Sequence, residues 1–247
     1  MIVHKVEQST LAWLRLRAGI PTASNFDKIL TAGGKASEQA EEYAYSLLAE
    51  QLVGHPISGP ETKWMRRGNE MEPEAVDAYE FDKNAETDRA GFITLDDGSA
   101  GASPDRLFGS AGLVQIKCPA AHTHVAYLMG EWGGIEKKYR PQLQGELYVC
   151  EREWVEVVSY FPEMPIAITR VARDEEYIAK LASALSTFDV MLKRLRMLLE
   201  AKVGPFPEMV RKDPDAENDN RAFVSEEDLK HYAEYLRSQG VPEKGGR

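Results

Sequence analysis

The sequence is poor in the features that mark secreted and membrane-spanning proteins. Its 247 residues include two cysteines, Cys118 and Cys150, which are too few for a disulfide framework or a four-cysteine zinc site. No apolar run approaches the roughly 18 residues of a membrane span, and the N-terminus lacks the long apolar centre of a secretory signal. We therefore expect a soluble, cytoplasmic protein.

Positive charge is also in short supply. The net charge is −10, with 40 acidic residues against 30 Lys and Arg, which argues against a generic polyanion-binding surface. It leaves open an enzyme of nucleic acids whose basic groups gather on one surface. Candidate clusters lie at 15–17, 66–67 and 137–140, although a solvated helix face is the more frequent origin of any one cluster.

Cys118, His122 and His124 are residue types that bind metals. They follow a predicted strand at the start of a predicted helix, where positions i and i+2 point to different faces. We therefore favour surface histidines and a small buried thiol over a metal site.

The apolar fraction of 43% is enough for one substantial α/β core. The first half predicts helices at 11–16, from about Ser24, at 37–53 and at 61–83, with Ser24 and Ser37 as N-caps and Pro73 as a kink or interruption. Short apolar runs then predict three consecutive strands at 91–95, 100–108 and 113–117. A helix at 135–150, with Pro141 in its first turn or at a kink, strands at 154–161 and 167–173, and a long amphipathic helix at 174–203 complete the pattern.

These elements predict a central mixed β-sheet flanked by helices, an α/β (α+β) fold, in one domain of residues 1–205. Residues 206–247 are predicted to form a polar linker and a short C-terminal helix, which opens at the capping-box sequence 225–228.

One group of polar residues is a candidate catalytic site. Asp105 lies in one predicted strand, and Gln115 and Lys117 lie in the next, where they share a face because strand side chains alternate. A carboxylate followed by an acid-x-Lys sequence is typical of phosphodiesterases that use two divalent cations. Here an amide replaces the second acid. Glu72, on the preceding helical segment, is a candidate outer carboxylate, although a lone helical glutamate more often faces solvent.

Five short motifs accompany this constellation in a fixed order along the chain. They are Trp…Arg…Thr-Ala-Ser at 13–24, Gly-x-x-x-Glu at 68–72, Ser-Pro-Asp at 103–105, Gln-Ile-Lys-Cys-Pro at 115–119 and Tyr-x-x-Gln-x-Gln at 139–144. Together they resemble the phage lambda exonuclease, or YqaJ-type viral recombinase, family of the PD-(D/E)xK nuclease superfamily.

The resemblance implies a restriction-endonuclease-like core and a 5′→3′ exonuclease for double-stranded DNA, which leaves 3′ single-stranded tails for recombination. It also implies a homotrimer, a single-strand annealing protein as partner, and a phage or prophage origin. Two Mg²⁺ ions per active site are expected, with Mn²⁺ as a substitute and Ca²⁺ as a non-productive ion.

The same resemblance assigns roles to individual residues. Asp105, Gln115 and the carbonyl of Ile116 are the implied metal ligands, Lys117 is the catalytic lysine, and Glu72 is a supporting acid. Tyr139 and Gln142 are implied to line the site. Arg17, Ser24 and Ser103 are the implied 5′-phosphate pocket, and Gln144 is an implied DNA-binding residue.

Two residues depart from the family pattern. Arg106 stands where the family has glycine, which changes the local turn and offers a further phosphate contact. Gln115 stands where the family has glutamate, and losing that charge is expected to lower the rate by roughly three decades or more. We interpret Gln115 as an engineered substitution that traps a DNA complex; a naturally inactivated protein is the alternative.

Three other functions stay open on the sequence alone. They are a non-catalytic clamp that binds DNA ends, a restriction-type endonuclease with the same core, and a protein-interaction domain.

Overall fold

A computed structural model of the protein describes residues 1–57 and 63–209. The start of the predicted helix at 61, and the predicted linker and C-terminal helix from residue 210 onward, lie outside the described residues. Within these two ranges the strands form two sheets, and no helix is both long enough and apolar enough to cross a membrane.

The larger sheet is mixed, as predicted. Its strand order is β2-β5-β6-β7-β8, with β6 and β7 parallel and the other neighbours antiparallel. The strands are β2 (Asp88–Arg89), β5 (Arg106–Phe108), β6 (Gly112–Lys117), β7 (Trp154–Ser159) and β8 (Ala167–Ala172).

The smaller sheet has the order β1-β3-β4, formed by β1 (Ile2–His4), β3 (Phe92–Thr94) and β4 (Gly101–Ala102). The prediction of a single strand over 100–108 is therefore wrong, because β4 and β5 belong to different sheets. Pro104 has no amide hydrogen for a strand ladder, and the Asp105 carboxylate accepts the backbone N–H of Ile116. The chain consequently changes sheet at residues 103–105.

Most predicted helices are present. They are α1 (Leu11–Arg17), α2 (Ala40–Val53), α3 (Lys63–Lys83), α4 (Ala121–Leu128), α5 (Gly133–Val149) and α6 (Glu175–Val203), with a 3-10 helix at Ala23–Lys28. Asp174 caps α6 by accepting the N–H of Tyr177 at 3.0 Å, and two glutamates in the first turn complement the helix dipole.

The predicted N-caps Ser24 and Ser37 are wrong. Ser24 lies inside the 3-10 helix, which Thr22 precedes, and α2 begins three residues after Ser37, with Gln39 in the cap position. Pro141 lies in the middle of α5, not in its first turn, so the Lys137 carbonyl has no i+4 amide hydrogen to accept.

The two faces of β6 are covered by different layers. Val114 and Ile116 pack against α3 in the smaller core, and Leu113 belongs to the larger core, which includes residues of α2, α5 and α6. Because side chains alternate, Gln115 and Lys117 share the face of Leu113. The sheet thus presents polar residues of β6 toward the layer that contains α5.

Candidate active site

Asp105 lies at the point where the chain passes from the smaller sheet to the larger one. The Gln8 amide holds this connection by donating hydrogen bonds to the carbonyls of Ala90 and Pro104, each at 2.8 Å. The Asp105 carboxylate therefore has a fixed position beside the C-terminal half of β6.

Two groups of β6 bond to the same oxygen of Asp105. Oδ2 accepts the Gln115 side-chain amide at 2.7 Å and the Ile116 backbone N–H at 2.6 Å. Burial raises the pKa of Asp105, and the positive charge of Lys117 is the largest effect in the opposite direction. The pairing of Asp105 with residues 115 and 116 thus has the geometry expected of neighbouring strands, although Asp105 itself precedes β5.

The donor set suits a hard cation. The amide oxygen Oε1 of Gln115 is buried and has no hydrogen-bond partner among the described residues. Asp105, this oxygen and the Ile116 carbonyl are all oxygen ligands of the kind that Mg²⁺ prefers. Over residues 1–57 and 63–209, no three side chains drawn from His, Cys, Asp and Glu converge as a metal site, so a cation here would need amide or backbone oxygens in addition to its carboxylates.

Lys117 on β6 and Glu72 on α3 both lie near Asp105. The Lys117 Nζ lies 4.8 Å from the centre of the Tyr139 ring, which brings α5 against the end of β6. Glu72, on α3, is half-buried, and burial followed by the charge of Asp105 raises its pKa to about 7. Glu72 is thus close enough to Asp105 for the two acids to influence each other.

Gln142 and Glu146 extend the Tyr139 face of α5 by one and two turns. The Gln142 amide donates to Glu146 Oε1 at 2.8 Å. Glu146 is 1% exposed, and burial raises its pKa to about 8. The sequence reasoning missed this acid.

A polar pocket lies next to the acidic centre. Arg17 donates to Ser103 Oγ at 3.1 Å and to Ser24 Oγ at 3.4 Å, and its guanidinium stacks 4.1 Å from the centre of the Trp13 ring. Trp13 Nε1 also donates to Ser103, at 2.8 Å, and Thr22 Oγ1 lies 3.5 Å from Arg17 Nη2. The structure therefore brings together the three residues predicted to form a phosphate pocket. Trp13 and Thr22 belong to the same N-terminal motif but had no assigned role.

Gln144 does not join either group. Its amide donates to the Ala172 carbonyl and its oxygen accepts the Asp174 N–H, both at 2.9 Å, so it ties α5 to the start of α6. Arg106 also turns away: its guanidinium donates to the Thr87 hydroxyl and carbonyl, each at 2.8 Å. These hydrogen bonds of both side chains thus run to other parts of the fold, Gln144 to the start of α6 and Arg106 to Thr87.

The histidines after β6 differ from the prediction in one respect. His124 is fully buried, with its ring nitrogens 2.7 Å from Ser159 Oγ and 3.0 Å from the Pro165 carbonyl, so it is not a surface residue. His122 is exposed, and Cys118 is half-buried. His124 bonds across to the loop beyond β7 because α4 packs against β8.

Comparisons with known proteins agree with this architecture. The alkaline exonuclease LHK-Exo from Laribacter hongkongensis is 30% identical, with a TM-score of 0.67 over 77% of this chain and 96% of that chain. Its complex with dAMP gives a TM-score of 0.68. A phage-related exonuclease from Haemophilus somnus 129PT shares the fold at 14% identity, with a TM-score of 0.60 over 73% and 96% of the two chains. No curated protein sequence matches.

The fold is that of a restriction-endonuclease-like core, and the exonuclease relatives support a nuclease. Within that class, the model of the YqaJ-like viral recombinase domain matches residues 12–153, more than half of the chain. The chain belongs to this family, as the five sequence motifs predicted.

Proposed function

We propose that the protein is a Mg²⁺-dependent exonuclease that degrades one strand of linear duplex DNA, 5′→3′, from a 5′-phosphorylated end. The 3′ single-stranded tail would be passed to a single-strand annealing protein during recombination, and the enzyme would act as a homotrimer. Membership of a recombinase family and similarity to an alkaline exonuclease support the reaction class.

One observation supports the proposal most directly: residues 103–105 contribute both to the phosphate pocket and to the acidic centre. Ser103 bonds to Arg17, and Asp105 bonds to β6. Two residues of extended chain span at most about 7 Å, which is on the order of one or two nucleotide steps along a duplex strand. A terminal phosphate held by Arg17 would thus place a phosphodiester close to the end of the strand beside Asp105.

The chain's own groups divide the work in this proposal. Asp105, the Gln115 amide oxygen and the Ile116 carbonyl would hold the cations, and Lys117 would orient water and stabilise charge on the scissile phosphate. When bound, Mg²⁺ supplies Lewis-acid activation and neutralises phosphate charge. Tyr139 lies against Lys117 and would restrict the position of its ammonium group.

In our proposal, Gln115 lowers the rate at which this form of the enzyme cleaves DNA. Its amide donates to Asp105, whereas a glutamate would add a second negative charge facing the cations. Losing that charge is expected to cost several kcal/mol of transition-state stabilisation, or roughly three decades in rate. The same hydrogen bond favours the second candidate, a clamp that binds DNA ends without cutting them.

The decisive experiment is digestion of end-labelled linear duplex by the Gln115→Glu variant with Mg²⁺. We expect release of mononucleotides from the 5′-phosphorylated strand, at a rate about 1000-fold above that of the unmodified chain. Gln39→Glu is the matched control, because Gln39 is exposed at the start of α2.

Each rival predicts a different result. A clamp gives tight end binding and no gain in cleavage by Gln115→Glu. A restriction-type endonuclease nicks covalently closed circular DNA, which an end-dependent exonuclease leaves intact.

A further inference from the structure

Glu146 is a buried acid whose charge no neighbouring bond fully compensates. One oxygen accepts the Gln142 amide at 2.8 Å, and the other, Oε2, is buried without a hydrogen-bond partner in the described part of the chain. A buried carboxylate normally has its acceptor sites occupied, because burial removes the water that would otherwise bond to them. The free Oε2 is therefore open to a ligand that completes the site.

The position of Glu146 points to the same centre. Tyr139, Gln142 and Glu146 lie on one face of α5, and Tyr139 contacts Lys117. The charges that act on the Glu146 carboxylate are those of Lys117, Asp105 and Arg17, in that order. The acid therefore lies near both the cation-binding residues and the phosphate pocket.

Packing fixes this placement. Gly145 lets α5 approach the 3-10 helix so closely that a Cβ at position 145 would lie 2.4 Å from Phe26 Cδ2. Phe26 is fully buried, two residues after the pocket residue Ser24. Because the backbone at 145 is held against this wall, the neighbouring Glu146 cannot move to solvent without disrupting the core.

The number of acidic side chains around the proposed cation site is the remaining consideration. A pair of acids at 105 and 115 would offer two negative charges to divalent cations, but Gln115 leaves only Asp105 on the β6 side. Glu146 adds an acid on the α5 side, as Glu72 does on the α3 side. Gln115 bonds to Asp105, and the charge of Asp105 acts on Glu146, so the two orphan oxygens belong to side chains around the same aspartate.

We propose that Glu146 supplies the divalent-cation site with the carboxylate that position 115 lacks, so that Asp105 and Glu146 share the charge of the site. This rests on the proposed nuclease function, and it goes beyond it, because it gives the Gln115 form its own means of binding cations. The competing role is a purely structural acceptor for Gln142.

The test is a double-mutant cycle on Mn²⁺ binding, measured by isothermal titration calorimetry without DNA. In the unmodified background, Glu146→Gln is expected to weaken Mn²⁺ binding at least tenfold. In the Gln115→Glu background, the same change is expected to weaken it less than threefold, because the acid at 115 then carries the charge. Glu131→Gln, at an exposed position before α5, is the control.

Two further measurements separate binding from folding. Thermal unfolding in EDTA reports whether Glu146→Gln is folded, and Glu146→Asp, which keeps the charge, is expected to retain Mn²⁺ binding better than Glu146→Gln even if both lose stability.

The inference is overturned if the unmodified chain binds no Mn²⁺, or if Glu146→Gln leaves its affinity within threefold. Equal losses in both backgrounds also overturn it, because they show that Glu146 acts independently of position 115. Mn²⁺ binding that depends on Glu146, together with no digestion by Gln115→Glu, would keep this site and reject the nuclease proposal.

Discussion

Replacing Arg17 is expected to remove the preference for a 5′-phosphorylated end. The guanidinium already donates to the hydroxyls of Ser103 and Ser24 at 3.1 and 3.4 Å, so a phosphate bound there would meet a planar cation and two hydroxyl donors. Burial lowers the pKa of Arg17 only to about 10, so the group stays protonated at neutral pH. Its charge is therefore available to the phosphate.

The size of the effect follows from these contacts. A hydrogen bond to a charged group contributes about 1.5–3 kcal/mol, which corresponds to about a 10- to 150-fold preference for phosphate over hydroxyl. Arg17→Ala should reduce this preference to near unity. Arg17→Lys should keep part of it, because the charge remains while the planar fork is lost.

The assay is fluorescence anisotropy with matched 5′-phosphate and 5′-hydroxyl duplexes in EDTA, so that cleavage does not interfere. Arg17 also stacks on Trp13, and the variant is expected to lose about 0.5–1 kcal/mol of stability. The ratio of the two affinities is insensitive to a small unfolded fraction. Arg15→Ala, two positions away on α1 and on another face, is the control. An unchanged ratio for Arg17→Ala would refute the pocket.

Two predictions concern stability without cations. Burial raises the pKa of Glu146 to about 8 from an ordinary 4.5, so the folded chain holds a proton that the unfolded chain releases, and the free energy of unfolding falls as the pH rises from about 5 to 8. In urea titrations, Glu146→Gln should remove up to about 5 kcal/mol of this loss. An equal difference between variant and unmodified chain at about pH 5 and about pH 8 would contradict the prediction. Gln115→Glu should lower the free energy of unfolding by about 1–3 kcal/mol in EDTA at about pH 8, because repulsion replaces the hydrogen bond to Asp105. Added Mn²⁺ should restore this stability, and a variant as stable as the unmodified chain in EDTA would contradict the prediction.

The sequence predicted the elements whose signals are local. The long helix α6 carries its own cap at Asp174, and β6 follows the apolar pattern of a buried strand. The strand break at 103–105 had one local signal, Pro104, but the change of sheet also depends on the bond between Asp105 and Ile116, eleven positions later, which only the folded pairing shows. The cap role of Ser37 failed for a different reason: a serine before a helix permits a cap but does not fix the residue at which the helix begins.

Glu146 was missed because a glutamate in a helix more often faces solvent, and the sequence analysis did not weigh its neighbours. Its burial depends on the 3-10 helix, more than a hundred residues earlier in the chain, which packs on Gly145. A useful signal was available in hindsight: the glycine beside the acid permits a close approach at that point, and the motif residues Tyr139 and Gln142 already marked the face of α5 toward the site.

The buried acids also bear on whether the site serves a ligand at all. Asp105 and Glu146 both have pKa values raised by burial, so each costs stability at neutral pH when no cation is bound. A neutral side chain at position 146 would remove this cost there. The neutral side chain of Gln115 avoids electrostatic repulsion, since its amide donates to Asp105 where a second acid would repel it. Two buried acids beside one amide, each with a raised pKa, are therefore consistent with the cation site that we propose.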